Sequence, residues 1–108
     1  MIYEIIISEE ADNDLRDIYE YISYDLQSFK SAKKQIYKLE EQISSLRLMP
    51  ERYKKYGNEK WTSRNLRMFP VDKFLIFYIP NRKTKIVTIL RIMYAGQDIE
   101  KQLNKYVE

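Results

Sequence analysis

The stretch that decides the fold is residues 65–93, NLRMFPVDKFLIFYIPNRKTKIVTILRIM. It carries three short runs rich in β-branched and aromatic side chains: Asn65–Phe69, Lys73–Ile79 and Lys85–Met93. Such runs favour the pleated, extended backbone. Pro70-Val71-Asp72 and Pro80-Asn81-Arg82-Lys83 separate them and read as turns. The second and third runs are apolar on nearly both faces, as central strands are when something covers the sheet. Alternation points Asn65, Arg67 and Phe69 one way and Leu66 and Met68 the other. In the third run it groups Val87, Ile89, Arg91 and Met93 against Ile86, Thr88, Leu90 and Ile92. Arg91 therefore falls on an apolar row, either as the partner of a carboxylate or as the floor of a functional groove, because a lone buried charge is very costly.

Upstream the period changes from two to 3.6. Ala11, Leu15, Ile18 and Ile22 recur at spacings of four, three and four, and Ser8 is placed to cap their helix, with Glu9, Glu10 and Asp12 in its first turn. Phe29, Ala32, Ile36, Leu39, Ile43 and Leu46 repeat the pattern behind Ser28, up to Met49, where Pro50 disfavours helix in the residue before it. Two adjacent amphipathic helices, over about 9–24 and 29–48, joined by a short link at 25–28, fold back as an antiparallel hairpin. Ile2–Ile7 reads as a first strand. Residues 51–62 read as a charged, aromatic loop. Asp98–Val107 places Ile99, Leu103 and Tyr106 on one face, the pattern of a short C-terminal helix. The expected fold is α+β: a helical hairpin packed on a twisted, mainly antiparallel sheet, in the order β-α-α-β-β-β with the short helix last. At 108 residues the chain is one domain, 1–108.

Composition narrows the chemistry. Cysteine and histidine are absent, which excludes disulfides, thiol catalysis, the usual general base and the commonest metal ligands. Two glycines, Gly57 and Gly96, leave no phosphate-cradling loop. No metal or cofactor is expected; Asp14 and Asp17 lie on neighbouring turns of the first helix without a third ligand. No apolar run approaches the ~18 residues of a membrane span, and the N-terminus is too short and acidic for a signal peptide, so no membrane contact and a cytoplasmic location are expected. The charge is polarised within a net +3. Residues 8–25 hold seven acids and one base, net −6, and residues 52–73 hold seven bases and two acids, net +5. Arg52-Tyr53-Lys54-Lys55-Tyr56 interleaves cations with rings, a pattern that suits nucleic-acid phosphates with stacking support. It is equally a solvated loop past a helix C-terminus, where cations are favoured. Trp61 either stacks on a base or covers the sheet edge. Arg52, Lys54, Lys55, Arg64 and Lys73 are the candidate contacts to a target or nucleic acid.

The order and spacing of DLRDIYEYI (14–22), SLRLMPERY (45–53), LRMFPVDKFLIFYIP (66–80) and IVTILRIMYAGQD (86–98) resemble the toxins of bacterial RelE/ParE-type toxin–antitoxin modules, of the kind that serve plasmid stabilisation. The resemblance spans Ile2 to about Leu103. It implies a growth-inhibiting toxin neutralised by a cognate antitoxin whose tail wraps it, with acidic and apolar residues complementing Arg52–Lys73. It implies one of two activities: a metal-free mRNA endonuclease at the ribosome, or a poison of DNA gyrase. The nuclease branch usually carries an arginine where Leu75 stands, a histidine or Lys-Arg pair near Tyr94, and an arginine at Gln97. Those departures favour the ParE-like, gyrase-directed branch, as does the long second helix. A nuclease reading would rest on Arg67, Arg91 and Tyr94, the arginines neutralising phosphate and Tyr94 donating a proton, on one sheet face with Arg64 and Lys73.

Overall fold

The computed structural model describes residues 2–104. The chain runs through β1 (Glu4–Ile7), α1 (Glu9–Glu20), a π-helical turn (Tyr21–Asp25), α2 (Phe29–Ser44), 3-10 turns at Ser45–Arg47 and Pro50–Arg52, α3 (Glu59–Thr62), β2 (Arg67–Val71), β3 (Phe74–Asn81), β4 (Ile86–Tyr94) and α4 (Ile99–Asn104). The strands form one sheet in the order β1-β4-β3-β2. β2, β3 and β4 are an antiparallel meander, and β1 joins β4 in parallel, so the sheet is mixed with two antiparallel pairings of three. The α+β architecture is the one expected, and α4 follows the last strand; Tyr106 and Val107, assigned to that helix from sequence, lie outside the described residues.

Both helices start where a side chain can replace a missing helical acceptor. The Ser8 hydroxyl accepts from Ala11 N–H and donates to Leu90 C=O, joining the α1 cap to the sheet. Ser28 accepts from Ser31 N–H at the start of α2. The hairpin then lays its stripes on one sheet face: Ala11, Leu15, Leu39, Ile43 and Leu46 are buried against Phe69, Val71, Ile76, Tyr78, Val87, Ile89 and Ile92. The opposite face is covered too. Trp61 of α3 and Leu103 of α4 close over Leu66, Phe77 and Met93. That double cover explains why β3 and β4 are apolar on both sides.

Four local expectations need correction. Pro70 and Pro80 lie inside β2 and β3, and the chain turns at Asp72-Lys73 and at residues 82–85 instead. β2 is an edge strand and pairs β3 only as far as Tyr78, so neither proline removes a ladder donor. Residues 51–62 are ordered by a 3-10 turn and α3, with Trp61 buried against Gly57, where φ is +97° and an added Cβ would sit 2.9 Å from Trp61 Cβ. Phe29 is exposed, outside the α2 core stripe, and packs edge-on against Tyr24. Lastly, Phe77 pairs with Arg91 but Tyr78 with Ile89, so Leu90 is a bulged residue. The bulge resets alternation: Val87, Ile89 and Ile92 face the helices, while Arg91 shares the side of Phe77.

Candidate functional site

A groove of about 820 Å³ opens between the hairpin and the end of the sheet where β2 turns into β3 and β4 finishes. Its floor is apolar, from Ile18 on α1, Ile22 on the π-helical turn, Phe74 on β3 and Ile92 on β4. The α1 stripe continues one turn past the strands it covers, which leaves Ile22 and the π-turn's Tyr21 at the mouth. The rim is polar: Asp17, Asp72, Lys73, Tyr94 and Gln97. Asp72 is held by Lys38 Nζ at 2.8 Å and Gln35 Nε2 at 3.1 Å, and these hydrogen bonds, that from Lys38 foremost, keep its carboxyl below the usual range. Tyr94 leans edge-on against Phe74, and its N–H donates to Gln97 Oε1. Tyr21, Leu26 and Tyr94 are large apolar or aromatic side chains left exposed around this opening. A clustered apolar patch with a polar rim is the kind of surface that marks interaction sites.

The arginines singled out from sequence are engaged within the fold. Arg91 forms a two-pronged pair with Asp14, Nε to Oδ2 at 2.8 Å and Nη2 to Oδ1 at 2.9 Å, with Gln102 Oε1 at 3.4 Å. Both side chains are 85% or more buried. Arg67 donates to Tyr53 C=O (2.7 Å), Asn65 Oδ1 (2.8 Å), Glu51 C=O (3.0 Å) and the Glu51 carboxylate (3.4 Å). Arg52 binds the carbonyls of Ser45, Leu48 and Met49 and the Ser45 hydroxyl, closing the C-terminal end of the hairpin. Lys54, Lys55, Lys60 and Arg64 are exposed, Arg64 lying 5.5 Å over the Trp61 ring, so Trp61 is a covered support with no free face for a base.

Arg67, Arg91 and Tyr94 are not brought together. Arg67 pairs with Tyr78 on the helix side of the sheet, and Arg91 pairs with Phe77 on the other. Tyr94 is on the helix side but opposite Phe74, itself paired with Val71, four residues along β2 from Arg67. At ~3.3 Å per residue that is roughly 13 Å along the strand, with two further strands across. Lys73 and Tyr94 both line the groove rim.

Sequence reasoning missed Glu51. Its carboxylate takes Arg82 Nε at 2.6 Å, Asn65 Nδ2 at 3.1 Å and Arg67 at 3.4 Å. The Arg82 hydrogen bond, with Asn65 and both guanidinium charges behind it, outweighs desolvation and holds the Glu51 carboxyl below its ordinary value. Its partners lie 14–31 residues away, so no local motif signals the cluster. Asp14 has a faint signal, an acid at a boundary of the α1 apolar stripe.

Known proteins place this geometry. Over 88% of this chain and 98% of the other, the fold matches a chain of the chromosomal ParDE toxin–antitoxin system of P. aeruginosa, with TM-score 0.72 and 20% identity. It also matches a chain of the RelBE2 toxin–antitoxin complex of Mycobacterium tuberculosis (TM-score 0.59, 17% identity, 87% and 99% covered) and the isolated E. coli RelE toxin (TM-score 0.52, 14% identity, 98% and 99% covered). Identities this low show a shared fold. No curated protein matches the sequence. The family described as ParE toxin of type II toxin-antitoxin system, parDE, matches residues 5–99. Nearly the whole described chain is thereby accounted for, and the protein belongs to the ParE toxin family.

Proposed function

We propose that this toxin acts on DNA gyrase and is held inactive by a cognate antitoxin whose tail occupies the groove. One observation carries the first half: the side chains from which a ribonuclease site would be built are separated, and both arginines are engaged by protein oxygens. Metal-free RNA cleavage needs a base for the 2′-OH, a cation on the phosphate and an acid for the leaving oxygen within one ~3 Å neighbourhood each. Tyr94 and Lys73 on the groove rim supply an acid and a cation at most, and 2′-OH activation has no owner beside them. That pair is the one feature favouring a ribosome-dependent mRNA endonuclease as the second reading. For the antitoxin, support comes from the apolar groove and from the ParDE and RelBE2 relatives, both toxin–antitoxin complexes.

Pulse labelling of DNA and protein after induction tests the target. DNA synthesis stops before protein synthesis if gyrase is poisoned, and purified gyrase accumulates cleaved DNA with the toxin present. Cleavage of an abundant message at ribosomal A sites within minutes, abolished by Tyr94→Phe in a folded variant, establishes the nuclease instead.

A further inference from the structure

β1 is an edge strand whose outer side is open. Glu4 N–H donates to Lys85 C=O at 2.8 Å and Ser8 N–H to Ile89 C=O at 3.0 Å, so the backbone groups of Glu4, Ile6 and Ser8 face β4. Alternation turns those of Tyr3, Ile5 and Ile7 outward. Tyr3 N–H is taken by Arg47 C=O at 2.8 Å. Among the described residues nothing takes the outward N–H and C=O groups of Ile5 and Ile7. Edge strands are ordinarily blunted by Lys, Pro or a bulge. The other edge, β2, follows that rule, with Pro70 in it and Lys55 bridging Arg67 from outside. β1 carries none of these devices. Ile2, Ile6 and Ile7 are 70%, 45% and 39% exposed, and Leu48 and Met49, next to the Arg47 that binds Tyr3, are exposed as well.

We propose that the free toxin pairs through β1 with a second copy of itself, in antiparallel register with the two-fold axis at Ile6, joining two four-stranded sheets into one of eight. The register follows from the groups available. A two-fold axis at Ile6 sets Ile5 opposite Ile7 of the partner and Ile7 opposite the partner's Ile5, and each such pair exchanges both N–H···O bonds. All four open groups of each copy are then used. An axis at Ile5 would set Ile7 against Tyr3, whose N–H is already donated. The side chains are self-complementary because Ile5-Ile6-Ile7 reads identically in both directions. Charge agrees: Glu4 falls opposite Ser8, so no like charges face each other across the axis. The resulting contact is isologous and closed, which suits a discrete dimer rather than a fibre. It is independent of the toxin's target.

The toxin, purified free of antitoxin, is measured by light scattering and sedimentation from micromolar to near-millimolar concentration, with Ile6→Lys and Ile6→Glu beside it. Circular dichroism establishes that both variants are folded. The parent dimerises. Each variant alone dissociates at least about tenfold more readily, since identical charges meet at the axis, and an equimolar mixture of the two recovers a heterodimer. Hydrogen exchange shows the Ile5 and Ile7 amides protected in the dimer and open in Ile6→Lys. A parent that stays monomeric overturns the proposal, as does a dimer indifferent to both substitutions or a mixture that fails to re-pair. Protection of Ile5 and Ile7 seen only when a co-expressed antitoxin is bound also overturns it, and assigns the edge to a strand of that partner.

Discussion

Asp14 closes two gaps that the topology opens. β1 ends at Ile7, so β4 loses its neighbour beyond Ile89 while still running to Tyr94. The Ile92 N–H, which would have paired with a longer β1, donates instead to Asp14 Oδ2 at 2.8 Å. The same carboxylate holds Arg91 with both oxygens. Asp14→Ala therefore leaves a largely buried guanidinium and an unpaired strand amide, and is expected to destabilise by about 3–5 kcal/mol. Urea unfolding measures this, and the cycle Asp14→Ala with Arg91→Met tests its origin. A double variant as unstable as the sum of the singles would deny that the two groups are coupled. Glu51 makes a pH-dependent contribution. Its carboxyl is depressed in the folded state, chiefly by the Arg82 hydrogen bond, so its stabilisation is complete above the ordinary Glu value of 4.5 and fades as pH falls through the folded value. Glu51→Gln should cost more at pH 7 than near pH 3, compared by unfolding midpoints; an equal cost at both would place the stabilisation in packing rather than charge.

At the scale of elements, the hairpin is where sequence period and structure agree most closely. Ser8 and Ser28 cap the helices they were expected to cap, and Leu39 is fully buried where α2 crosses the sheet. Leu39→Ala should lose about 2–5 kcal/mol, read as a shift in denaturation midpoint at unchanged slope. A loss under about half a kcal/mol would put α2 in the wrong register. These elements were legible because a helix stripe and its cap depend on neighbours three and four residues away. The meander was legible for the same reason. The rest depends on distant partners. Nothing near Leu90 announces a bulge; it arises where β4 passes from pairing with β1 to standing beside the Ser8 cap and Asp14. The prolines misled because Pro usually marks a turn, whereas an edge strand, and a strand end paired on one side only, both tolerate it. At the candidate site, Tyr94 and Lys73 were named from sequence and do share the groove, but the apolar floor drawn from α1, β3 and β4 is a tertiary product. Arg67 and Arg91 drew attention as charges in strands, and their carboxylate partners, 16 and 77 residues distant, could not be assigned from spacing.

Across the whole molecule, charge is arranged by layer. The acids of residues 8–25 ride on the hairpin side of the sheet, and α3 and its flanking loop, which carry Lys54, Lys55, Lys60 and Arg64, close over the other side through Tyr56 and Trp61. Arg52 and Arg67 are engaged internally, so the +5 segment presents its lysines and Arg64 to solvent. With the antitoxin tail in the groove, as proposed, an apolar groove on one side and a cationic loop on the other would give it two separate tasks. The groove would contribute buried area and set how slowly the complex comes apart. The loop would contribute a long-range field and set how fast it forms. Lys54→Glu with Lys55→Glu should then slow association with an acidic antitoxin tail about tenfold at low salt, flatten the salt dependence, and leave the dissociation rate nearly unchanged. Ile18→Ala on the groove floor should do the opposite, speeding dissociation with little effect on association. Stopped-flow association at two ionic strengths, paired with dissociation by competition, separates the two. Should charge reversal at Lys54 and Lys55 accelerate dissociation instead, the tail must pass directly over that loop, and the groove would no longer be the main anchor.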